Sequence, residues 1–380
     1  MASISAPNTN SVPGPSSIPQ DIIATRSQIL STCFYKRTKY YFPHHDPQVE
    51  QFSKDVYRLF SHCYKTEVPN LGILGRLPQD ILEGILLQLD IDSFRRFRQV
   101  SRRARYLATA LLFYQRVLRH APDALNALRR TDLSGYVSYS DVYTALTTTK
   151  CAFCGQFGDF LFLPTATRCC FECLRTSPET ALVNAARISR RQPWKGLYTD
   201  HADAITNTVE SMGVRSFKTH NWDDVQKMSK TRGVLAKDLL AAYIKVDSTL
   251  EEPGRALLNP GWLHYRLAAS IIFPCLSLRR GKVKTGVSCI GCHKKIWSQN
   301  DASLISVSNA NISFNPCFRA RDRSYSEDEA VWHFSQCAES QRVWRASGRN
   351  SVRCMFIQQG GIHYYKANKW RRDEENLRVE

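Results

Sequence analysis

Residues 151–174 read CAFCGQFGDFLFLPTATRCCFECL and carry two C-x-x-C pairs, Cys151 with Cys154 and Cys170 with Cys173. Fifteen residues separate the pairs. That spacing matches a four-thiolate zinc site, in which four sulfurs surround the metal at about 2.3 Å. A chain held this way must leave one knuckle and return to the other, and DFLFL reads as the strand that does so. Gly155 follows the first pair and permits the tight turn of a chelating knuckle. Cys169 is a spare thiol, because Cys170 is the one that keeps the two-residue gap to Cys173. Lys150, Arg168 and Arg175 stand where they can offset the negative charge of four thiolates on a dication. Four protein ligands leave no open coordination position, so the expected metal is structural. A buried thiol cluster or a redox pair is the alternative, although a thioredoxin-like site wants a βαβ context that is not visible here.

A second set is Cys289 and Cys292 in CIGC with His333 and Cys337 in HFSQC. Ligands at i and i+4 lie on one face of a helix. Ser326 and Glu329 form a capping box for that helix, and Glu327 and Asp328 favour its positive end. His293 and Cys317 are rival ligands, and an ordinary core role is the alternative for the whole set. His44 and His45, flanked by prolines, read as loop.

The metal reading depends on compartment. The chain has thirteen cysteines, and its first twenty residues, MASISAPNTNSVPGPSSIPQ, contain neither a basic n-region nor an apolar h-region. A reducing compartment, cytoplasmic or nuclear, is therefore expected, where paired cysteines bind metal more often than they form disulfides. The longest apolar run, 267–278, is too short for a membrane span and reads as a buried helix and turn. With 52 Lys and Arg against 34 Asp and Glu, a formal charge of +18, the chain favours acidic partners.

The other informative stretch is LPQDILEGILLQL, residues 77–89. On a helix, Ile81, Leu82, Ile85, Leu86 and Leu89 fall within an arc of about 140°, and only Leu87 points elsewhere. Pro78 suits the first helical turn. DIDSF breaks the helix, and Asp92 or Ser93 can cap the next, which places Phe94, Phe97, Val100, Leu107 and Leu111 near one side. Ser140 is a candidate cap for the helix SDVYTAL. On pattern alone, 77–112 can equally be the core of a larger helical domain.

The order of residues in LPQDILEGILLQLDIDSFRRFRQVSRRARYLA resembles an F-box, with Ala104 standing where many F-boxes carry an aromatic residue. Together with RHAPDALNAL, CxxCGxFGxFLFL, RxCFxC and HFxxCxxSQRVW, it is similar to a group of fungal F-box proteins. The resemblance implies a non-enzymatic substrate-recognition subunit of a cullin-type (SCF) ubiquitin ligase. Its F-box would bind a Skp-type adaptor and its C-terminal part an unidentified target protein. The implied adaptor contacts are Leu77, Pro78, Ile81, Leu82, Ile85, Leu86 and Leu89, and which of these face the core stays open.

The competing reading is a zinc-containing nucleic-acid-binding regulatory protein, drawn from the charge, the two Cys sets and six arginines between 95 and 105. It requires a recognition helix aimed at bases, which neither set offers, and the arginines read equally as a solvated helix face. No nucleophile, acid–base or open-metal constellation is present, and the Cys sets lack the interleaved eight-ligand spacing of a RING.

The expected architecture is mainly α with small β elements, a helical F-box followed by zinc-stapled α+β modules. The layout is a disordered arm (1–20), a helical N-terminal segment (21–70), the F-box (71–120) and a four-Cys zinc module (121–190). A helical connecting region (191–280), a second zinc module (281–350) and a charged tail (351–380) follow.

Overall fold

The computed structural model describes residues 26–37, 71–184, 207–209, 211–212, 214–220, 228–251, 266, 269–298 and 316–346. The expected arm, His44 and His45 and the tail lie outside the described residues. The architecture is mainly helical with small antiparallel sheets, as expected. It opens on α1 (Arg26–Cys33) and the short strand β1 (Phe34–Tyr35). A 3-10 turn over Gly72–Arg76 leads into α2 (Gln79–Gln88).

Local capping corrects three boundaries. Asp90, not Asp92 or Ser93, caps α3 (Ile91–Val100), its carboxylate accepting the Ser93 N–H at 2.9 Å. Ser101, with an extended backbone, ends α3 and caps α4 (Arg102–Ala110) by accepting the Ala104 N–H at 3.1 Å. The expected continuous apolar side across 94–111 is therefore broken in two, and Val100 turns out to solvent, 75 % exposed. Serine breaks the run because its hydroxyl satisfies an orphan N–H of a new helix better than it serves a helix interior. α5 (Leu112–His120) and α6 (Pro122–Arg130) follow, with Pro122 at the first helical position. Ser138, not Ser140, caps α7 (Tyr139–Thr147), because Asp141 lies three residues on and returns a bond to the Ser138 N–H at 2.9 Å.

β2 (Phe160–Phe162) is the strand expected between the Cys pairs. It lies antiparallel between β3 (Thr167–Cys169) and β7 (Ser270–Ile272), with Phe160 opposite both Cys169 and Ile272. α8 (Phe171–Thr176) follows β3. β4 (Leu182–Asn184), β5 (Ser216–His220) and β6 (Met228–Leu235) form a second sheet in the order β4-β6-β5, and α9 (Ala236–Val246) leaves its end. β8 (Cys275–Ser277) and β9 (Lys282–Lys284) make a hairpin.

Among the described residues of 267–278, the strands β7 and β8 stand where a buried helix was expected, while the described part of 191–280 holds both strands and the helix α9. Short apolar runs fit helix and strand alike, and here long-range pairing decides. Pro274, which has no N–H to give, separates β7 from β8. β10 (Ser288–Cys289) pairs with β1, and α10 (Ile290–Ser298), α11 (Pro316–Asp322), α12 (Glu327–Gln336) and α13 (Ala338–Ala346) complete the described chain.

One apolar core runs without a break from Leu86 and Phe94 through Tyr114, Val142 and Phe160 to Ile271 and Leu276. Phe94 sits at its helical end, its ring 5.0 Å from that of Tyr114 and 4.8 Å from that of Tyr139. Arg168 closes the other end, donating to the carbonyls of Ala145 (2.8 Å), Gly158 (2.7 Å), Phe273 (3.2 Å) and Pro274. A separate core holds Ile29, Phe34, Val287, Ile290, Tyr325 and Phe334, so the N-terminal helix and strand belong with the C-terminal helices.

Removing a fully buried ring leaves a cavity, and Phe94→Ala should cost about 3–5 kcal/mol. Because the first core has no break, fluorescence and circular dichroism should report one shifted unfolding transition. Separate unfolding of the F-box helices and of the first cysteine set would contradict the shared core.

Candidate functional site

The first cysteine set is assembled by the β2–β3 hairpin. The knuckle at Cys151 is closed by Cys151 N–H to Gln156 O at 2.6 Å and Gly155 N–H to Cys151 O at 2.9 Å, with Gly155 at φ +72°. Cys170 is the N-cap of α8 and accepts the Cys173 N–H at 3.4 Å. The sulfurs of Cys151, Cys154, Cys170 and Cys173 all lie within 4.8 Å of one another, Cys154 and Cys170 at 3.6 Å. A tetrahedron with bonds of about 2.3 Å has edges of about 3.8 Å, so the four fit a metal of zinc size. Cys169 stays out of the set. It ends β3, where successive side chains point to opposite faces, and lies fully buried in the core with its thiol pushed up by burial.

The second set repeats the device. Cys289 ends β10 and accepts the Cys292 N–H at 3.4 Å as α10 begins. The Cys292 sulfur lies 3.3 Å from His333 Nε2 and 3.9 Å from the Cys337 sulfur, and these atoms with Cys289 again fall within 4.8 Å. Ser326 and Glu329 form the expected capping box of α12, which carries His333 and ends at Cys337. The His333 ring is held by stacking on Tyr325 at 4.5 Å and by the edge of Phe34 at 6.3 Å. His293 is buried but outside the set, and the Cys317 side chain lies outside the described residues.

Each set on its own shares protons. Cys151 is pushed well below an ordinary thiol by hydrogen bonds from Cys170 and Cys173, which are themselves pushed up by giving them. Cys337 is likewise lowered by hydrogen bonds from Cys289 and Cys292, while Cys292 is raised. A thiolate cradled by thiols is the donor chemistry that a soft dication completes by displacing protons. Both sets can therefore hold a metal ion, and neither leaves a free protein-ligand position.

The expected cationic neighbours do other work. Arg168 is spent on backbone carbonyls, Lys150 is exposed, and Arg175 pairs with Glu172 at 2.7 Å and Asp322 at 3.7 Å. One ligand-site residue had no sequence signal beyond its place between Cys289 and Cys292. A Cβ on Gly291 would stand 2.3 Å from the Ser340 backbone nitrogen, so only glycine lets α10 approach α13.

The oily helix divides cleanly. Leu82 (7 %) and Leu86 (2 %) are buried, and Leu89 packs on the core, as does Leu87. Ile81 (49 %) and Ile85 (43 %) point outward, and Leu77 and Pro78 are exposed beside them. Ile73 and Leu74 in the preceding turn extend the exposed apolar strip, which the helical periodicity alone did not reach.

Residues 74–116 match the F-box domain. The match runs from the turn before α2 into α5, so the exposed strip from Leu74 onward lies within the F-box. No curated protein and no solved structure matches the chain. F-boxes serve in general as the recognition arm of SCF-type ubiquitin ligases. The F-box arginines are not a uniform solvated face, since Arg98 is buried over the Tyr114 ring at 5.0 Å and donates to Thr109 Oγ1 at 3.2 Å. Among the described residues, no helix is long and apolar enough to cross a membrane.

Elemental analysis of chain purified without chelator should give roughly two transition-metal ions per chain. Cys154→Ser should lose one and Cys169→Ser none. Release of metal by Cys169→Ser but not by Cys170→Ser would reverse the assignment. Gly291→Ala should remove the second ion alone, and a variant that keeps two ions would contradict the close approach.

Proposed function

We propose that the chain is the non-catalytic substrate-recognition subunit of a cullin-type (SCF) ubiquitin ligase. Its F-box docks on a Skp-type adaptor, and its C-terminal part holds a protein target. The observation that carries this reading is the division of α2: within the F-box match, Leu82 and Leu86 face the core while Ile81 and Ile85 stay in solvent. Covering Leu77, Ile81 and Ile85, each already partly buried, would contribute roughly 1 kcal/mol apiece before the cost of association. Several large apolar side chains left in solvent along one short segment mark a protein contact.

The two metal sets support the receptor role indirectly. Four thiolates, or three with one imidazole, at tetrahedral spacing favour zinc, and a closed shell makes that zinc a structural staple. It would fix the C-terminal surfaces that a target meets. Reduced, metal-bound cysteines fit a chain working in the cytoplasm or nucleus.

The double variant Ile81→Asp with Ile85→Asp should abolish co-purification with the Skp-type adaptor, weakening binding at least about 100-fold, because two carboxylates would be buried unpaired at the interface. Its melting temperature should stay close to that of the parent, since both side chains are exposed. Leu82→Asp should instead destabilise the shared core. Adaptor binding that survives Ile81→Asp with Ile85→Asp in a folded chain would contradict the proposal.

A further inference from the structure

Away from the metal sets and from α2, two adjoining cavities form a groove between the α5–α6 corner and the β7–β8–β9 strands. The larger, about 250 Å³, is lined by Leu112, Gln115, Arg116, Arg119 and His120 on one wall and by Leu276, Ser277, Leu278 and Gly281 on the other. The smaller, about 160 Å³, shares Arg119 and His120 and continues past Pro122 and the carboxylate of Asp123 to Phe273 and Pro274. No carboxylate lines the larger cavity. Arg116 is held in place by donating to the Tyr143 hydroxyl at 2.6 Å, and Gln115 by donating to Thr109 O at 2.7 Å.

The β8–β9 turn adds to this charge. Gly281 takes φ +61° and its N–H closes the turn on Ser277 O at 2.8 Å, which leaves Arg279, Arg280 and Lys282 exposed between and beside lining residues. Leu112 and Leu278 are exposed on opposite walls. His120 is held below an ordinary imidazole by burial and by Arg119 and Arg116, so the positive charge of this wall belongs to the arginines. The larger cavity, lined by one sign of charge and with apolar side chains at its mouth, concentrates the opposite charge and offers an anchor for a bulky side chain.

We propose that the larger cavity of this groove is a receptor site for an acidic peptide segment, with carboxylates set against Arg116, Arg279 and Arg280 and an apolar side chain between Leu112 and Leu278. The occupant follows from charge complementarity: the larger cavity is lined by cations without a carboxylate, and its two leucines suit a side chain and not a sugar–phosphate backbone. As the place where a client is held, the site rests on the receptor reading above. Its ligand chemistry does not.

The test uses the full, metal-loaded chain and a short fluorescein-labelled peptide of glutamates around one central leucine. The peptide should bind, and Arg279→Glu with Arg280→Glu should weaken it at least about tenfold, because both side chains are exposed and make charge contacts only. Leu278→Ser should also weaken it, and a lysine peptide of the same length should not bind. Adaptor co-purification should be unchanged in these variants.

Peptide binding without adaptor binding would sink the ligase reading and leave the groove standing. Adaptor binding without peptide binding would overturn the groove alone. Equal affinity for the charge-reversed variant, or displacement of the peptide by single-stranded RNA that binds more tightly, would also overturn it, the latter in favour of a nucleic-acid surface.

Discussion

One guanidinium joins the three parts of the structure on which the rest depends. Arg168 donates to carbonyls of α7, of the first cysteine knuckle and of the link between β7 and β8. Its hydrogen bonds go to carbonyls, and burial lowers its pKa to about 10 despite the nearby charge of Asp159, so it remains charged at neutral pH. A buried cation of this kind is tolerable only while every acceptor stays in place. Arg168 therefore ties α7, the first metal set and the β7–β8 link together, and the F-box helices join them through the shared apolar core. The consequence for function is at α2: with its inner face fixed by this shared core, its outer face is free to be covered by something else.

The local signals were legible in the sequence because they are short-range. Both C-x-x-C pairs, the αL glycine after Cys154, the DFLFL strand and the capping box of α12 depend on residues within a few positions of one another. The separation of Cys169 from Cys170 was readable from spacing and is enforced by the alternation of side chains along β3. The caps at Asp90 and Ser138 were misplaced by two or three residues, since several neighbouring Ser and Asp side chains compete for the same N–H groups and only the folded backbone decides.

What was not legible is long-range. β1 pairs with β10 across most of the chain, which brings Phe34 against the His333 ring. Arg37, just beyond β1, donates to the Asp322 carbonyl, stands 3.9 Å from Asp159 and lies over the Phe171 ring at 5.1 Å. Despite its burial Asp322 is held below the usual carboxylate range by Arg321, Arg37 and Arg175, whereas burial holds Asp159 above it. Gly286 packs where a Cβ would meet Phe157 at 2.8 Å and Ser324 at 3.3 Å, closing the same seam. No local pattern announces such contacts, which join the two cores at a buried ionic seam.

The central claim is that α2 offers its outer face to an adaptor while its inner face belongs to a metal-stapled body. Hydrogen exchange of the metal-loaded full chain, alone and with a Skp-type adaptor, tests it most directly. The account predicts new protection at residues 73–89 and no change around either cysteine set. Protection that falls on the cysteine sets while 73–89 exchanges as before would contradict it.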